Sequence, residues 1–207
     1  MPSWPMATRK RGGILTNMVT GIRDPWGGPM THRDLDDTPD DGNRYEVIDG
    51  ELHVTPFPTT GHQKVVTELL FLLRLHVGEE GLGDVFVSGL KVVLDEHTGV
   101  GPDLVYIATE QAGGLRRDGY HGPPALVVEV LSSKPTLDTK VKRGTYARAG
   151  IRHHWIVDPE ERILREYCLE GTEYVVRAEV RDDDEFRPEL FPRLAIPLGR
   201  LWIDLPA

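Results

Sequence analysis

Residues 123–132 read Pro123-Pro124-Ala125-Leu126-Val127-Val128-Glu129-Val130-Leu131-Ser132, an apolar, β-branched run with one carboxylate near its middle. A run of this length, with a Pro-Pro break before it and Ser132-Ser133-Lys134-Pro135 after it, predicts a strand buried on both faces. Burying an unpaired carboxylate costs on the order of several kcal/mol or more. Glu129 is therefore expected to be paired or to bind a metal ion. A second reading puts it at the strand's end, facing solvent or a lysine, and the strand alone leaves both open.

Working outward, residues 84–88 and 90–94 read as strands, followed by a turn over residues 95–99 and another strand over residues 102–107. Residues 111–122 are polar and Gly-rich and read as a mobile loop leading back to the opening strand. Beyond Glu129, residues 138–149 contain no breaker except Gly144 and stop at Gly150, so they predict a short helix. Residues 153–159 and 162–167 read as two strands about an Asp158-Pro159 turn. An acidic loop over residues 181–185 and a last strand near residues 194–196 follow.

Further back, residues 44–54 alternate apolar and polar side chains around Asp49-Gly50, the strongest short-range hairpin signal, and Pro56 and Pro58 end the second strand. Val65, Val66, Leu69, Leu70, Leu72, Leu73 and Val77 then recur at helical spacing. Thr59 or Thr60 can cap that helix, and Gly78 and Gly81 mark its end. Residues 1–43 hold no sustained period and read as loose chain, within which Met30 is a second candidate start and residues 31–35 a short helix. The order hairpin, helix, strands, helix, strands predicts an α/β protein, an α+β mixed sheet flanked by helices. Residues 1–29 are expected to be a flexible tail and residues 30–207 one domain.

With 207 residues the chain can bury a full core, and no apolar run approaches the ~18 residues of a membrane span. The basic Arg9-Lys10-Arg11 is followed by no apolar region of signal-peptide type. One cysteine, Cys168, excludes an internal disulfide and a zinc-binding cysteine cluster, which fits a reducing cytoplasm. A net charge of −9 argues against coating nucleic acid by charge alone, but leaves room for an enzyme whose acids are gathered in a site.

Asp103 follows Pro102 at the start of one buried strand and Glu129 lies in the next long one, so their carboxylates can converge at one end of the sheet. Two such groups repel unless a cation lies between them, and hard divalent ions such as Mg²⁺ take oxygen ligands in that arrangement, with the Val130 carbonyl as a further donor. A lysine is the third expected part, to orient water or offset charge on a phosphate. Lys134, Lys140 and Lys142 all follow Glu129 closely. Asp138, Lys142 and Tyr146 stand at i, i+4 and i+8, on one helix face, where the plainer reading is a surface ion pair beside a packed tyrosine. His153-His154 suggests a metal, yet adjacent strand residues point to opposite faces. Tyr146 and Trp155 read as core residues.

The ordered set from residues 45–52 through His62-Gln63, Pro102-Asp103-Leu104, Val128-Glu129-Val130-Leu131-Ser132, Asp138-x-x-x-Lys142-x-x-x-Tyr146-Ala147-Arg148-Ala149-Gly150 and Trp155-Ile156-Val157-Asp158-Pro159 resembles the Uma-two family of candidate restriction endonucleases. That family belongs to the PD-(D/E)XK nuclease superfamily, and the likeness runs from about Met30 to near Trp202. It implies a restriction-endonuclease-like fold and a DNA-cleaving phosphodiesterase site that uses Mg²⁺ or Mn²⁺. It also implies a homodimer.

By position, Asp103 and Glu129 would be metal ligands, and Lys142 the catalytic lysine displaced onto the helix. Leu131 stands two residues after Glu129, where the strict motif has lysine, and residues 132–137 depart from the family's usual run. Lys134 and Lys140 therefore remain rivals. The resemblance also raises Glu46 or Glu51 and His62 to accessory positions lining the site, with Tyr146 beside them. Lys142→Ala is expected to end cleavage with the fold largely intact. The contrasting hypothesis is a nuclease-like fold kept as a non-catalytic nucleic-acid or protein interaction module, which the acidic charge and Leu131 favour.

Overall fold

The computed structural model describes residues 20–22, 28–131 and 137–203. The expectations for Lys134 and for nearly all of residues 1–27 lie outside the described residues. In chain order, β1 (Thr20–Ile22), β2 (Arg44–Ile48) and β3 (Glu51–Thr55) precede helix α1 (Thr60–Glu80). After it come β4 (Gly83–Val87), β5 (Val92–Asp95), β6 (Thr98–Val100), β7 (Leu104–Ala108), β8 (Leu115–Arg116), β9 (Gly119–His121) and β10 (Leu126–Val130). A π-helical turn, Leu137–Lys142, runs into α2 (Arg143–Ala149), and β11 (His153–Asp158), β12 (Ile163–Glu170), β13 (Glu173–Arg181), β14 (Glu185–Phe186) and β15 (Ile196–Pro197) complete the described chain.

Two large sheets and a small β14-β15 pair form from these strands. The central one has the order β13-β12-β11-β10-β7-β4, with β10 and β11 parallel and the other neighbours antiparallel. The other has the order β1-β3-β2-β6-β5-β9-β8. Every residue of β10 is buried, because each face of the central sheet meets a different layer. On one face Leu126, Val128 and Val130 pack with α1 and with Phe186, Phe191 and Leu194 of the later chain. On the other Val127 packs with Val105, with Ile48 and Val100 of the second sheet, and with Tyr146 of α2.

Helix α1 forms where the spacing places it. The Thr59 side chain accepts from the His62 backbone N–H at 3.2 Å, and Gly81 closes the helix in the left-handed region at φ 65°. Its stripe of Val65, Val66, Leu69, Leu72, Leu73 and Val77 is buried, each side chain contributing about 1.5–3 kcal/mol of transfer free energy. Gly78 lies inside the helix. Among the described residues no helix is long and apolar enough to cross a membrane.

Asp49 and Gly50 turn the β2–β3 hairpin with φ values of 51° and 80°, the doubly positive pair that a two-residue turn of the right twist requires. A side chain on Gly50 would in addition meet Pro29, whose Cβ lies 2.7 Å from where a Cβ would sit.

Three expectations need correction. Residues 111–122 are not one open loop: β8 and β9 form a hairpin there, and β9 lies parallel beside β5. The turn before β6 is shorter than expected, since Thr98 already belongs to the strand. Residues 20–22, read as part of a loose tail, pair with β3, Thr20 opposite His53. For β9 and for residues 20–22, pairing with a distant strand orders a segment too short to show a period of its own, while Thr98 joins its strand by pairing locally with Asp95.

Candidate active site

At the end of β10 the two large sheets, the start of α1 and the turn before α2 meet around a pocket of about 400 Å³, lined by Arg44, His62, Ser88, Asp103, Val130 and Lys142 among others. Leu104 stands opposite Val128 in the antiparallel register of β7 and β10. One step further sets Asp103 beside Glu129, on the sheet face that turns to the second sheet. Both are 1% exposed.

Asp103 is held from three sides. Its Oδ1 accepts from the Arg44 guanidinium at 2.7 Å, and its Oδ2 lies 3.0 Å from His62 Nε2 and 2.9 Å from the Val130 backbone N–H. The Ser88 hydroxyl is 3.4 Å from Oδ1. Burial alone would raise this carboxyl, but the His62 hydrogen bond, the Arg44 charge and the Val130 N–H outweigh it and hold Asp103 well below the usual carboxylate range. The capped first turn of α1 fixes His62 in this position, so the Thr59 cap serves the site as well as the helix.

Glu129 is compensated by the helix that follows it. Lys142 Nζ lies 3.2 and 3.3 Å from its two oxygens, and the Tyr146 hydroxyl donates to Oε1 at 2.5 Å. The same ammonium reaches Glu46 Oε1 on β2 at 2.8 Å, an oxygen that also accepts from the Gly101 N–H at 2.7 Å. Lys142 thus bridges two buried carboxylates from different sheets, all three groups being 1% exposed. Glu46 Oε2 is buried with no hydrogen-bond partner, as is His62 Nδ1.

Lys142 and Tyr146 share a helix face because α2 is regular from Arg143 onward. The preceding turn, Leu137–Lys142, is π-helical and not a continuation of α2, and the expectation for the Asp138 side chain lies outside the described residues. Lys140 is exposed. Glu51, on the same hairpin as Glu46, is exposed beside the turn and away from the pocket, so the structure separates the two acids that flank it. His153 and His154 point to opposite faces: His153 lies against Cys168, and His154 lies among Tyr146, Tyr167 and Tyr174.

Two residues escaped the sequence reading. Arg44 was marked only as the beginning of a strand, although it stands two residues before Glu46 and so shares its face. Phe57, 73% exposed, forms part of the pocket rim and packs over Gly42, where a Cβ would sit 2.0 Å from the ring's Cζ.

Among the described residues, the acids of the pocket do not form a three-ligand cluster; Arg44 and Lys142 are held between them instead. The arrangement stores negative charge under fixed cations and leaves one carboxylate oxygen without a donor. Its oxygens suit a hard divalent ion, and its cations suit a phosphate.

A sequence model of the Uma2 family, described as "Putative restriction endonuclease", matches residues 32–199. No curated protein sequence matches. The crystal structure of a "putative nuclease belonging to DUF820" from Anabaena variabilis ATCC 29413 superposes with a TM-score of 0.69 at 20% identity, over 84% of this chain and 97% of that one, which is a likeness of fold. The type IIG restriction endonuclease BpuSI gives a TM-score of 0.39 at 14% identity, over 70% of this chain and 16% of its own.

Proposed function

The chain belongs to the Uma2 family and has a restriction-endonuclease-like fold, and from that premise we propose that it is an endonuclease that hydrolyses phosphodiester bonds of DNA with Mg²⁺ or Mn²⁺. The observation that carries the reading is the meeting of three groups from separate stretches of chain: Asp103 and Lys142 line one pocket, and Glu129, beside Asp103 on the next strand, is bonded to Lys142 just beneath it. The donor set fits the ion: two carboxylates from adjacent strands, a backbone carbonyl at Val130, and Glu46 Oε2 buried without a partner. Asp103, Glu129 and the Val130 carbonyl would hold it. Bound there, it would supply a Lewis acid for the phosphate and lower the pKa of a water.

The remaining work falls to the chain's own groups. Lys142 carries a fixed positive charge that would orient the attacking water or offset charge building on the phosphate. Tyr146 and Glu46 hold that lysine and Glu129 in place, and His62 holds Asp103. Arg44, which compensates Asp103 and borders the pocket, is suited to meet a phosphate oxygen. The homodimer is part of the same proposal, and the exposed Phe71 and Leu75, one turn apart on α1, are apolar groups that a second copy would cover. A DNA substrate and one buried, reduced cysteine support a cytoplasmic setting.

The test is a cleavage assay on duplex, single-stranded and branched DNA with Mg²⁺ and with Mn²⁺, wild type against Asp103→Ala. Metal-dependent strand cutting that Asp103→Ala abolishes is the expected result. DNA binding with no cutting of any form would replace this reading with the non-catalytic module.

A further inference from the structure

On the opposite face of the central sheet lies a second group of chemistry-bearing side chains. His153 stands directly across from Cys168 in the β11–β12 register, and Glu166, two residues before Cys168, shares its face. The Cys168 Sγ and His153 Nδ1 are 3.3 Å apart, and one ligand atom from each of His153, Glu166 and Cys168 lies within 4.8 Å of the others. All three are buried, at 5%, 1% and 3% exposure.

Glu166 is the member that a plain packing account leaves unexplained. Among the described residues the buried acids are Glu46, Asp103, Glu129 and Glu166. The first three each meet Lys142 or Arg44 within salt-bridge distance, while among the described residues no ammonium or guanidinium lies within 4.0 Å of Glu166, on which Arg177 acts only from farther away. Its carboxyl accepts only from the Trp155 indole N–H at 3.3 Å and the Glu189 backbone N–H at 3.1 and 3.2 Å. A carboxylate inside a protein calls for a cation, and the atoms beside this one are a thiol sulfur and an imidazole nitrogen.

We propose that His153, Glu166 and Cys168 form a second metal site, built for a thiolate-binding divalent ion of the zinc class and separate from the pocket at Asp103. Sulfur, imidazole nitrogen and one carboxylate oxygen are a zinc donor set and not a magnesium one. With Zn–S near 2.3 Å and Zn–N near 2.0 Å, tetrahedral ligation places sulfur and nitrogen about 3.5 Å apart, close to the spacing already present. On binding, the thiol gives its proton to solvent as the S–Zn bond forms, and the two ligand charges balance the ion. Arg177, paired with Glu189 at 3.3 Å, is near enough for its charge to act on a Cys168 thiolate. Access is through a cavity of about 430 Å³ that His153 lines together with Arg152 and Glu189. The site would clamp β11 to β12.

Because Cys168 is the only cysteine of the chain, the test is direct. Cobalt(II) is titrated into the full-length protein, prepared free of metal, and the thiolate-to-cobalt charge-transfer band in the near ultraviolet is followed, with zinc then added to displace it. The wild type and Asp103→Ala should both give the band, since the pocket at Asp103 contains no sulfur. Cys168→Ser should lose it, and the near-isosteric Glu166→Gln should weaken cobalt binding at least tenfold, so the result does not depend on one variant's folding. Zinc should also raise the melting temperature of the wild type and not that of Cys168→Ser. A folded wild type that shows neither band nor zinc-induced shift overturns the proposal. So does a band equally strong in Glu166→Gln and His153→Ala, which would mean adventitious binding by the thiol alone.

Discussion

Replacing Lys142 by methionine keeps most of the side-chain volume and removes one charge, and the structure says what that charge does. Lys142, Glu46 and Glu129 are each 1% exposed, and the ammonium touches the two carboxylates at 2.8 and 3.2 Å. Breaking one buried pair by deleting a partner costs about 3–5 kcal/mol. Here a single deletion uncovers two anions, which pushes the loss to the upper end, while the Gly101 N–H and the Tyr146 hydroxyl keep it from doubling. Urea unfolding at pH 7 in the presence of a chelator should therefore show Lys142→Met less stable than wild type by about 3–5 kcal/mol. Lys142→Ala, with a cavity added, should lose more, so the expectation of an intact fold gives way once the lysine is seen to be buried.

Adding Glu129→Gln to Lys142→Met should recover part of the loss, because one of the two uncovered anions is then gone. A deficit below about 1 kcal/mol at pH 7 would refute the bridging role.

Tyr146→Phe removes the 2.5 Å hydrogen bond to Glu129 and keeps the packed ring, so it should cost about 1.5–3 kcal/mol in the same urea experiment. His154 is buried among three tyrosines with neither nitrogen hydrogen-bonded, and burial, reinforced by Lys142 and Arg143, lowers its pKa from 6.5 to about 3. Below pH 6.5 the unfolded chain takes the proton first, so this contribution to stability is whole above 6.5 and is lost as pH falls towards about 3. His154→Phe should flatten the acid side of the metal-free stability curve relative to wild type across that window. Glu51→Gln, at the exposed end of the hairpin, should leave both cleavage and stability unchanged, within about 0.5 kcal/mol for stability.

What was legible in the sequence depended on contiguity. The run at β10, the Asp49-Gly50 turn and the capped helix α1 each carry their signal within a few residues, and each forms where it was read. Asp103, Glu129 and Lys142 were named from motif positions, and it took the fold to show that Lys142 also serves Glu46. Arg44 carried no local mark, since its partner Asp103 lies 59 residues away. The β8–β9 hairpin was missed because two- and three-residue strands have no period, and its order comes from pairing with β5. The π-helical turn was missed because helical spacing in sequence does not distinguish one winding from the next. The neighbours of Cys168 required the β11–β12 register, which no composition rule supplies.

The bridge made by Lys142 also bears on when the protein can act. A ribosome makes the chain from its amino end at about 5–20 residues per second, so Glu46, Asp103 and Glu129 emerge before the Lys142 ammonium that joins β2 to β10. A nascent chain that stops short of α2 holds buried-type acids with no lysine to seat them, and the hairpin has no charge to dock against. Synthesis therefore delivers the acids of β2 and β10 before the ammonium that joins them, and a product truncated before Lys142 carries those acids without the bridge.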